Sequence, residues 1–306
     1  MLNALALDFC AIAGTRVCVL QDVRYAAPQV PGCDVHVVGS ARQEHATLAS
    51  LAADADWTVL VAPEFSGFLE SRAQAVIAAG GRLLGPGTGL IRLASNKHLT
   101  ATHLARAGVP VAQGRLLETG DNLPHDFHYP AVLKPVDGAG SQGVRFIERP
   151  GAHPGVVPSP HRLERFCPGL AASVAVLCGP CQRLPLAPCR QRLSDDGRFS
   201  YLGGSLPLDG RLAARARDLA ARATSTLPDP LGYVGVDLVL GTDGSGADDV
   251  VIEINPRLTT SYVGLRESAS GNLAAVMLEI ATGREAALSF SSGPVQFDAD
   301  GTVYAN

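Results

Sequence analysis

The sequence predicts an α/β protein: an N-terminal open parallel-sheet domain followed by two lobes of α+β character. Three observations predict it. Residues 1–94 alternate helical and strand patterns, the signature of a parallel sheet covered by helices. Residues 131–148 read as a strand, a glycine-rich loop and a strand, and the Pro-, Gly- and His-rich stretch 149–162 after them reads as a loop or linker between lobes. Two apolar strands within 235–255 carry carboxylates that one antiparallel hairpin would bring together.

The elements follow from periodicity and turn residues. Leu2–Ile12 reads as a helix, Arg16–Leu20 and Asp34–Val38 as strands, and Gln43–Ala53 as a helix. Trp57–Ala62 reads as a strand, Leu69–Ala79 as a helix stopped by Gly80-Gly81, and Arg82–Leu84 as a short strand before Gly85-Pro86-Gly87. The unit opens with a helix where such folds open with a strand, so a sheet one strand short is expected. Ser95 is expected to cap a helix over Asn96–Ala107, with Gly108 after its end. Short strands are expected at Gln113–Leu117, Ala131–Pro135 and Val144–Glu148, then a loop over 149–162, rich in Pro, Gly and His. Further strands fall at Leu163–Phe166, Ser173–Leu177, Gln182–Leu186 and Cys189–Leu193. In Arg211–Leu227 the residues Leu212, Ala216, Leu219, Ala223 and Leu227 share one side of a helix. Strand Gly235–Leu240, the acidic turn Gly241–Asp249, a strand from Val250 and a closing helix Asn272–Ala281 complete the chain. The expected domains are 1–94, 95–161 and 162–306.

Composition bounds the function. A net charge of −4 gives no basic field for nucleic acid or an anionic membrane. No apolar run approaches the roughly 18 residues of a membrane span. The start, MLNALALDFCAIAG, carries Asp8 and no basic segment, so it is not read as a signal peptide. Seven irregularly spaced cysteines fit reduced thiols, and with the missing signal they point to a cytoplasmic protein. Cys178-Gly179-Pro180-Cys181 lies between two strands and reads as a hairpin turn rather than a redox pair.

The polar residues that carry chemistry lie in apolar surroundings. Asp137-Gly138-Ala139-Gly140-Ser141-Gln142-Gly143 follows one strand and precedes another, so it is a hairpin loop able to fold over phosphates through its N–H groups. Lys134 sits in the apolar strand before it and needs an anionic partner. Lys97, at the start of a helix, joins it in a polyphosphate cradle, the alternative being a solvated surface lysine. Asp237 lies in one apolar strand, and Glu253 and Asn255 on one face of the next. Their oxygens suit Mg²⁺ held jointly with phosphates. Arg257 continues the row and suits a transferring phosphoryl group or an acyl phosphate. Arg190 and Arg192 share one strand face and either add positive charge or serve as surface salt bridges. Thr259, Thr260, Ser261 and Tyr262 form a hydroxyl-rich loop beyond the row, where a substrate would lie.

From about Ser95 to Gly283 this order of parts resembles the ATP-grasp superfamily, and residues 1–94 resemble its preceding Rossmann-like domain. The resemblance implies that Lys97 and Lys134 bind nucleotide phosphates and that Gly138–Gly143 cover them. It implies that Glu164-Arg165-Phe166 form the hinge that holds adenine, that Asp237, Glu253 and Asn255 bind magnesium (or Mn²⁺), and that Arg257 steadies an acyl phosphate. Lys134 and Arg192 are grouped with Arg257 as candidate catalytic cations. Many members carry a ribose-binding acid in a Pro-Gly-x-Glu segment, whereas this chain has Pro168-Gly169-Leu170-Ala171 and leaves that contact unassigned. Glu253-Ile254-Asn255-Pro256-Arg257-Leu258-Thr259-Thr260-Ser261-Tyr262, Asn96-Lys97 and Pro63-Glu64-Phe65-Ser66-Gly67 are most similar to the branch that includes tyramine–L-glutamate ligase of methanofuran or methylofuran biosynthesis.

The resemblance implies an ATP- and Mg²⁺-dependent ligase that joins a carboxylate, that of the glutamate side chain, to tyramine or a similar amine through an acyl phosphate. Its partners would be small-molecule acid and amine substrates, with a homodimer left open. Glu64, after a strand of the first domain, is expected to meet the substrate ammonium, with Arg190 and Thr259–Tyr262 on the substrate side. The rival readings are a ligase for other amino acids, a non-catalytic nucleotide-binding protein and a small-molecule kinase.

Overall fold

The computed structural model describes residues 1–26, 30–152 and 155–305. Counts and absences below concern those residues. The N-terminal unit contains α1 (Leu2–Cys10), β1 (Val17–Asp22), β2 (Cys33–Val38), α2 (Ala41–Asp54), α3 (Phe68–Ala78) and α4 (Thr88–Ala94). β1 and β2 pair in parallel from Val17 opposite Cys33 to Asp22 opposite Val38. Ser40 caps α2 by accepting the Gln43 amide at 3.2 Å.

The expected strands at 57–62 and 82–84 do not form a ladder. They meet in one parallel bridge, Thr58 to Leu83, with Thr58 N donating to Arg82 O and Leu84 N to Thr58 O, each at 2.8 Å. The second segment is too short for more, being closed in by Gly81 and Gly85-Pro86. These segments are held by packing instead: Leu60 and Leu83 sit against Leu48, Ala52 and Val76 of the covering helices. No third strand is hydrogen-bonded to β1 or β2 among the described residues, so the parallel sheet is narrower than the alternation predicts.

The small lobe has α5 (Lys97–Arg106), β3 (Gly114–Leu117), β4 (Ala131–Pro135), β5 (Arg145–Ile147) and β6 (His161–Arg165), with strand order β3-β6-β4-β5. Asn96, not Ser95, caps α5, its Oδ1 accepting the Leu99 amide at 2.9 Å. Ser95 faces the first domain and donates to Glu64 O at 3.0 Å. β6 pairs with both β3 and β4. The expected boundary at 161/162 therefore cuts through a strand, and the crossing to the large lobe is Phe166–Pro168.

The large lobe is an antiparallel sheet of β7 (Gly169–Cys178), β8 (Arg183–Pro185), β9 (Cys189–Leu193), β10 (Tyr201–Leu206), β11 (Gly232–Gly241), β12 (Val250–Asn255), β13 (Val295–Asp298) and β14 (Val303–Ala305). The order is β12-β11-β7-β9-β10-β13-β14, with β8 on β7. α6 (Gly210–Ser225) covers one face through Ala216, Leu219, Ala220 and Ala223, packed on Val174, Val176, Val234 and Val236. α7 (Ser261–Ser268) and α8 (Leu273–Ala281) pack on Leu177, Tyr233 and Phe297 of the other. The sequence reading missed α4, β10, α7, β13 and β14. Cys178-Gly179-Pro180-Cys181 does form the turn between β7 and β8, and burial pushes the Cys178 thiol up to about 12, so it stays protonated.

One buried cluster ties the chain's start to the large lobe. Asp8 of α1 accepts from Tyr262 Oη at 2.6 Å and from Arg266 Nη2 at 2.7 Å, and Asn272 Nδ2 donates to the Asp8 carbonyl at 2.6 Å. Tyr262→Phe should lower stability by about 1.5–3 kcal/mol, the range for a hydrogen bond to a charged group, read from urea midpoints.

Candidate active site

A cavity of about 510 Å³ lies between the small-lobe sheet and the face of the large sheet opposite α6. On β11, Val236 and Leu238 pack towards α6, so Asp237 and Val239 face the cavity. On β12, Glu253 stands opposite Asp237 and Asn255 opposite Gly235. The register shifts between Asp237 and Leu238, which leaves Ile252 as a bulge. Strict alternation would place Val251 and Glu253 on one face. The bulge separates them, so Val251 joins the α6 core while Glu253, Asn255 and Arg257 line the cavity.

Both oxygens of Asp237 accept amide N–H groups, Gln191 Nε2 on Oδ1 at 2.9 Å and Asn255 Nδ2 on Oδ2 at 3.0 Å. Burial, then repulsion from Glu253, pushes the Asp237 carboxyl up to about 7 despite those bonds. Burial disfavours the Glu253 charge as well, but Lys97 Nζ at 2.6 Å and the nearby Lys134 outweigh it and hold Glu253 below the usual carboxylate range. Asn255 gives its N–H to Asp237, leaving Oδ1 as the atom it can offer. The structure thus brings the three expected metal ligands together. They present oxygen donors that suit a small hard cation, and a cation would offset the repulsion at Asp237.

The two expected lysines are buried and paired. Lys97 bonds Glu253 and the Gly138 carbonyl, and its backbone N–H donates to Val136 O at 3.0 Å. Lys134 meets Glu164 Oε1 at 2.6 Å and the carbonyl of the bulged Ile252 at 3.3 Å. Glu164 also takes Arg162 Nε at 2.9 Å, and Arg162 donates to Ala112 O at 2.6 Å and to His98 Nδ1 at 3.1 Å. Burial, then the Arg162 charge, lowers the His98 pKa, which suits a neutral acceptor. Gly114 makes room for Arg162, since a Cβ there would stand 2.7 Å from the guanidinium carbon. Lys134, Glu164 and Arg162 hold two positive charges against one negative, so this wall of the cavity favours an anion. Glu164, in the segment expected at the adenine hinge, spends its carboxylate on these cations. Glu164, Arg165 and Phe166 all line the cavity.

The loop between β4 and β5 lies over the same space. Gly138, Gly140, Ser141 and Gln142 line the cavity. Gly140, Ser141 and Gly143 have φ of 64°, 60° and 74°. Gly143 stands behind the lining, where a Cβ would come within 2.9 Å of the Pro135 ring, so the position is closed to larger residues.

Several expected roles are corrected. Glu64 is 1% exposed and grips Arg257, with Oε2 to Nε at 2.5 Å and Oε1 to Nη2 at 3.2 Å. It orients that arginine and, being buried behind it and absent from the cavity lining, is not placed to meet a substrate ammonium. Arg190 and Arg192 lie on the α6 side of the sheet, because Cys189, Gln191 and Leu193 take the cavity side of β9. Arg192 pairs with Asp298, so neither arginine reaches the cavity. Tyr262 is wholly buried on Asp8. Thr259, Thr260 and Ser261 do line the cavity, with Tyr233 Oη at 2.9 Å from Thr259 Oγ1 and 3.1 Å from Ser261 Oγ. Gln191, which lines the cavity, and the buried Tyr233, which holds Thr259 and Ser261, were marked by no charge or motif in the sequence.

Two outcomes follow from these charges. Glu164→Gln should cost about 3–5 kcal/mol in stability, because it strands Lys134 and Arg162, whereas adding Lys134→Met should recover part of that loss in a double-mutant cycle. Asp237 has a folded pKa above its unfolded value of 3.8. Its contribution is therefore full below about pH 4 and is lost as pH rises towards about 7. Asp237→Asn should remove that part of the pH dependence of the thermal midpoint.

Known proteins share this architecture. The family profile described as an ATP-grasp domain matches residues 94–261, and the pre ATP-grasp 3 domain matches residues 15–89. A tyramine–L-glutamate ligase of Methanocaldococcus jannaschii is 26% identical over 230 residues, 75% of this chain and 64% of that protein. The chain thus spans less than two thirds of that relative. The crystal structure of L-amino acid ligase from Bacillus licheniformis superposes with a TM-score of 0.72 at 17% identity, over 96% of this chain and 76% of that one. The biotin carboxylase domain of 2-oxoglutarate carboxylase from Hydrogenobacter thermophilus, solved with MgADP, ADP and bicarbonate, gives 0.75 at 17% identity, over 96% of this chain and 71% of that one. With the profile covering more than half its length and the cavity lying between the two lobes it spans, the chain belongs to the ATP-grasp family.

Proposed function

We propose that the protein is an ATP- and Mg²⁺-dependent carboxylate–amine ligase that joins the side-chain carboxylate of glutamate to tyramine or a similar amine. The observation that carries the reading is Arg257, clamped by Glu64 beside the oxygen cluster of Asp237, Glu253 and Asn255. A fixed guanidinium next to a phosphate-binding cation site suits an acyl phosphate. The M. jannaschii ligase supports the substrate choice.

In this reading a carboxylate oxygen attacks the γ-phosphorus of ATP, the bond to the bridging oxygen breaks and ADP leaves. The ammonium first loses one proton to water, the free amine attacks the acyl carbon, the bond from that carbon to the phosphate oxygen breaks, and a second proton leaves the nitrogen to give the amide and inorganic phosphate. Asp237, Glu253 and Asn255 would hold Mg²⁺, which supplies charge neutralisation on the phosphates. Lys97 and Lys134 bind the phosphate oxygens. Arg257 stabilises the charge that develops at the acyl phosphate, and the glycine loop shields that group from water. The hydroxyls of Thr259, Thr260 and Ser261 face the substrate end.

Phosphate release with ATP, Mg²⁺ and glutamate, with and without tyramine, tests this. Tyramine-dependent release with a γ-glutamyl amide product is expected, and release indifferent to tyramine would overturn the substrate choice. Arg257→Lys should lower kcat by about 10²- to 10³-fold, the cost of losing one oriented charge-stabilising group. Glu64→Gln should reduce kcat with little change in the amine KM, because Glu64 acts through Arg257.

A further inference from the structure

The cavity has two chemically distinct halves. One is apolar, with Val132, Phe166, Leu193, Phe199 and Val239 on its walls, and the other carries the lysines and the oxygen cluster. A nucleotide has the same division, an aromatic base at one end and anionic phosphates at the other, with its sugar diol at the boundary. The side chain at that boundary is Ser173 of β7. It stands directly opposite Asp237 on β11 and opposite Cys189 on β9. Two residues earlier on the same strand face is Ala171, opposite Val239.

Ser173 is 8% exposed, lines the cavity and makes no hydrogen bond through its hydroxyl among the described residues. No fully enclosed side-chain nitrogen or oxygen there lacks a partner. The Ser173 hydroxyl is therefore not fully enclosed. Nearby polar groups are already engaged. Asp237 accepts from Gln191 and Asn255, and Ser194 Oγ donates to Asp196 and accepts from the Ser200 amide.

We infer that Ser173 hydrogen-bonds the sugar hydroxyls of the bound nucleotide and sets a preference for ribonucleotides over deoxyribonucleotides. The inference rests on the nucleotide reading of this cavity. A serine hydroxyl both donates and accepts, as a sugar hydroxyl does, so the two pair in either sense. A neutral group is also the suitable one at this position. A neutral hydroxyl directly opposite Asp237 adds no further charge to the cation-binding end of the cavity.

Equilibrium binding of ATP, 2′-deoxy-ATP and 3′-deoxy-ATP to the whole chain, in Mg²⁺ and without acid or amine, tests the assignment. The wild type should bind ATP about 3- to 10-fold more tightly than at least one deoxy analogue, the loss expected for one neutral hydrogen bond. Ser173→Ala should weaken ATP by that factor, leave that analogue unchanged and so erase the preference. Ser173→Thr, which keeps the hydroxyl, should retain it. Equal weakening of all three nucleotides by Ser173→Ala, or unchanged ATP affinity, overturns the sugar contact while the nucleotide reading stands. A wild type that binds none of the three overturns both.

Discussion

Charge pairing in a shielded cleft is the constraint on which the site depends. Lys97 lies on Glu253, Lys134 on Glu164, and Arg257 on Glu64, each within 2.6 Å. A buried charge left alone costs several kcal/mol, so removing any one member strands its partner. The pairs also unite the molecule. Lys97 and Glu253 join α5 to the large sheet, and Glu64 brings the first domain onto Arg257. The same contacts that keep the cavity's charges tolerable hold the three units around it.

The bulge at Ile252 does comparable work on the backbone. It lets one six-residue strand feed an apolar core and a charged cavity without breaking its pairing to β11. It also presents the Ile252 carbonyl to Lys134. Binding geometry at Glu253 is thus inherited from the packing of Val251 under α6.

What could be read in the sequence was whatever carried its own local contrast. Glu253, Asn255 and Arg257 stood out because polar residues at every second place in an apolar strand share a side. The glycine loop stood out through its spacing between two strands. The long amphipathic α6 announced its buried side through Leu212, Ala216 and Leu219. Features defined by distant partners did not show. Glu64 meets Arg257 across a sequence separation of 193 residues, and Tyr262 meets Asp8 across 254. Nothing near either acid reveals its partner. Gln191 was hidden because a neutral amide in an exposed-looking strand carries no signal, and the arginines on either side drew attention to the wrong face. The hydroxyl run from Thr259 to Tyr262 looked uniform, but a helix begins within it and turns Tyr262 inward. The narrow first sheet was overestimated because alternating hydrophobicity reports packing, and packing with one bridge at Thr58 holds residues 57–62.

The join between Phe146 and the turn at 194–200 has a mechanical consequence. Phe146 lies on β5, directly after the glycine loop, and its amide donates to Gly197 O at 2.7 Å. Its ring meets Phe166 of the crossing segment at 5.2 Å and Phe199 of the turn at 6.4 Å between centroids. The small lobe's β5 and the large lobe's turn are therefore fastened to each other beside the crossing itself, where Phe199 also stacks on Phe166 at 6.2 Å. A rotation about Phe166–Pro168 that widens the cleft must move these rings past one another at its axis and part the contacts of Lys97 with Glu253 and of Lys134 with the Ile252 carbonyl, so opening the cavity and uncovering its charges are one event.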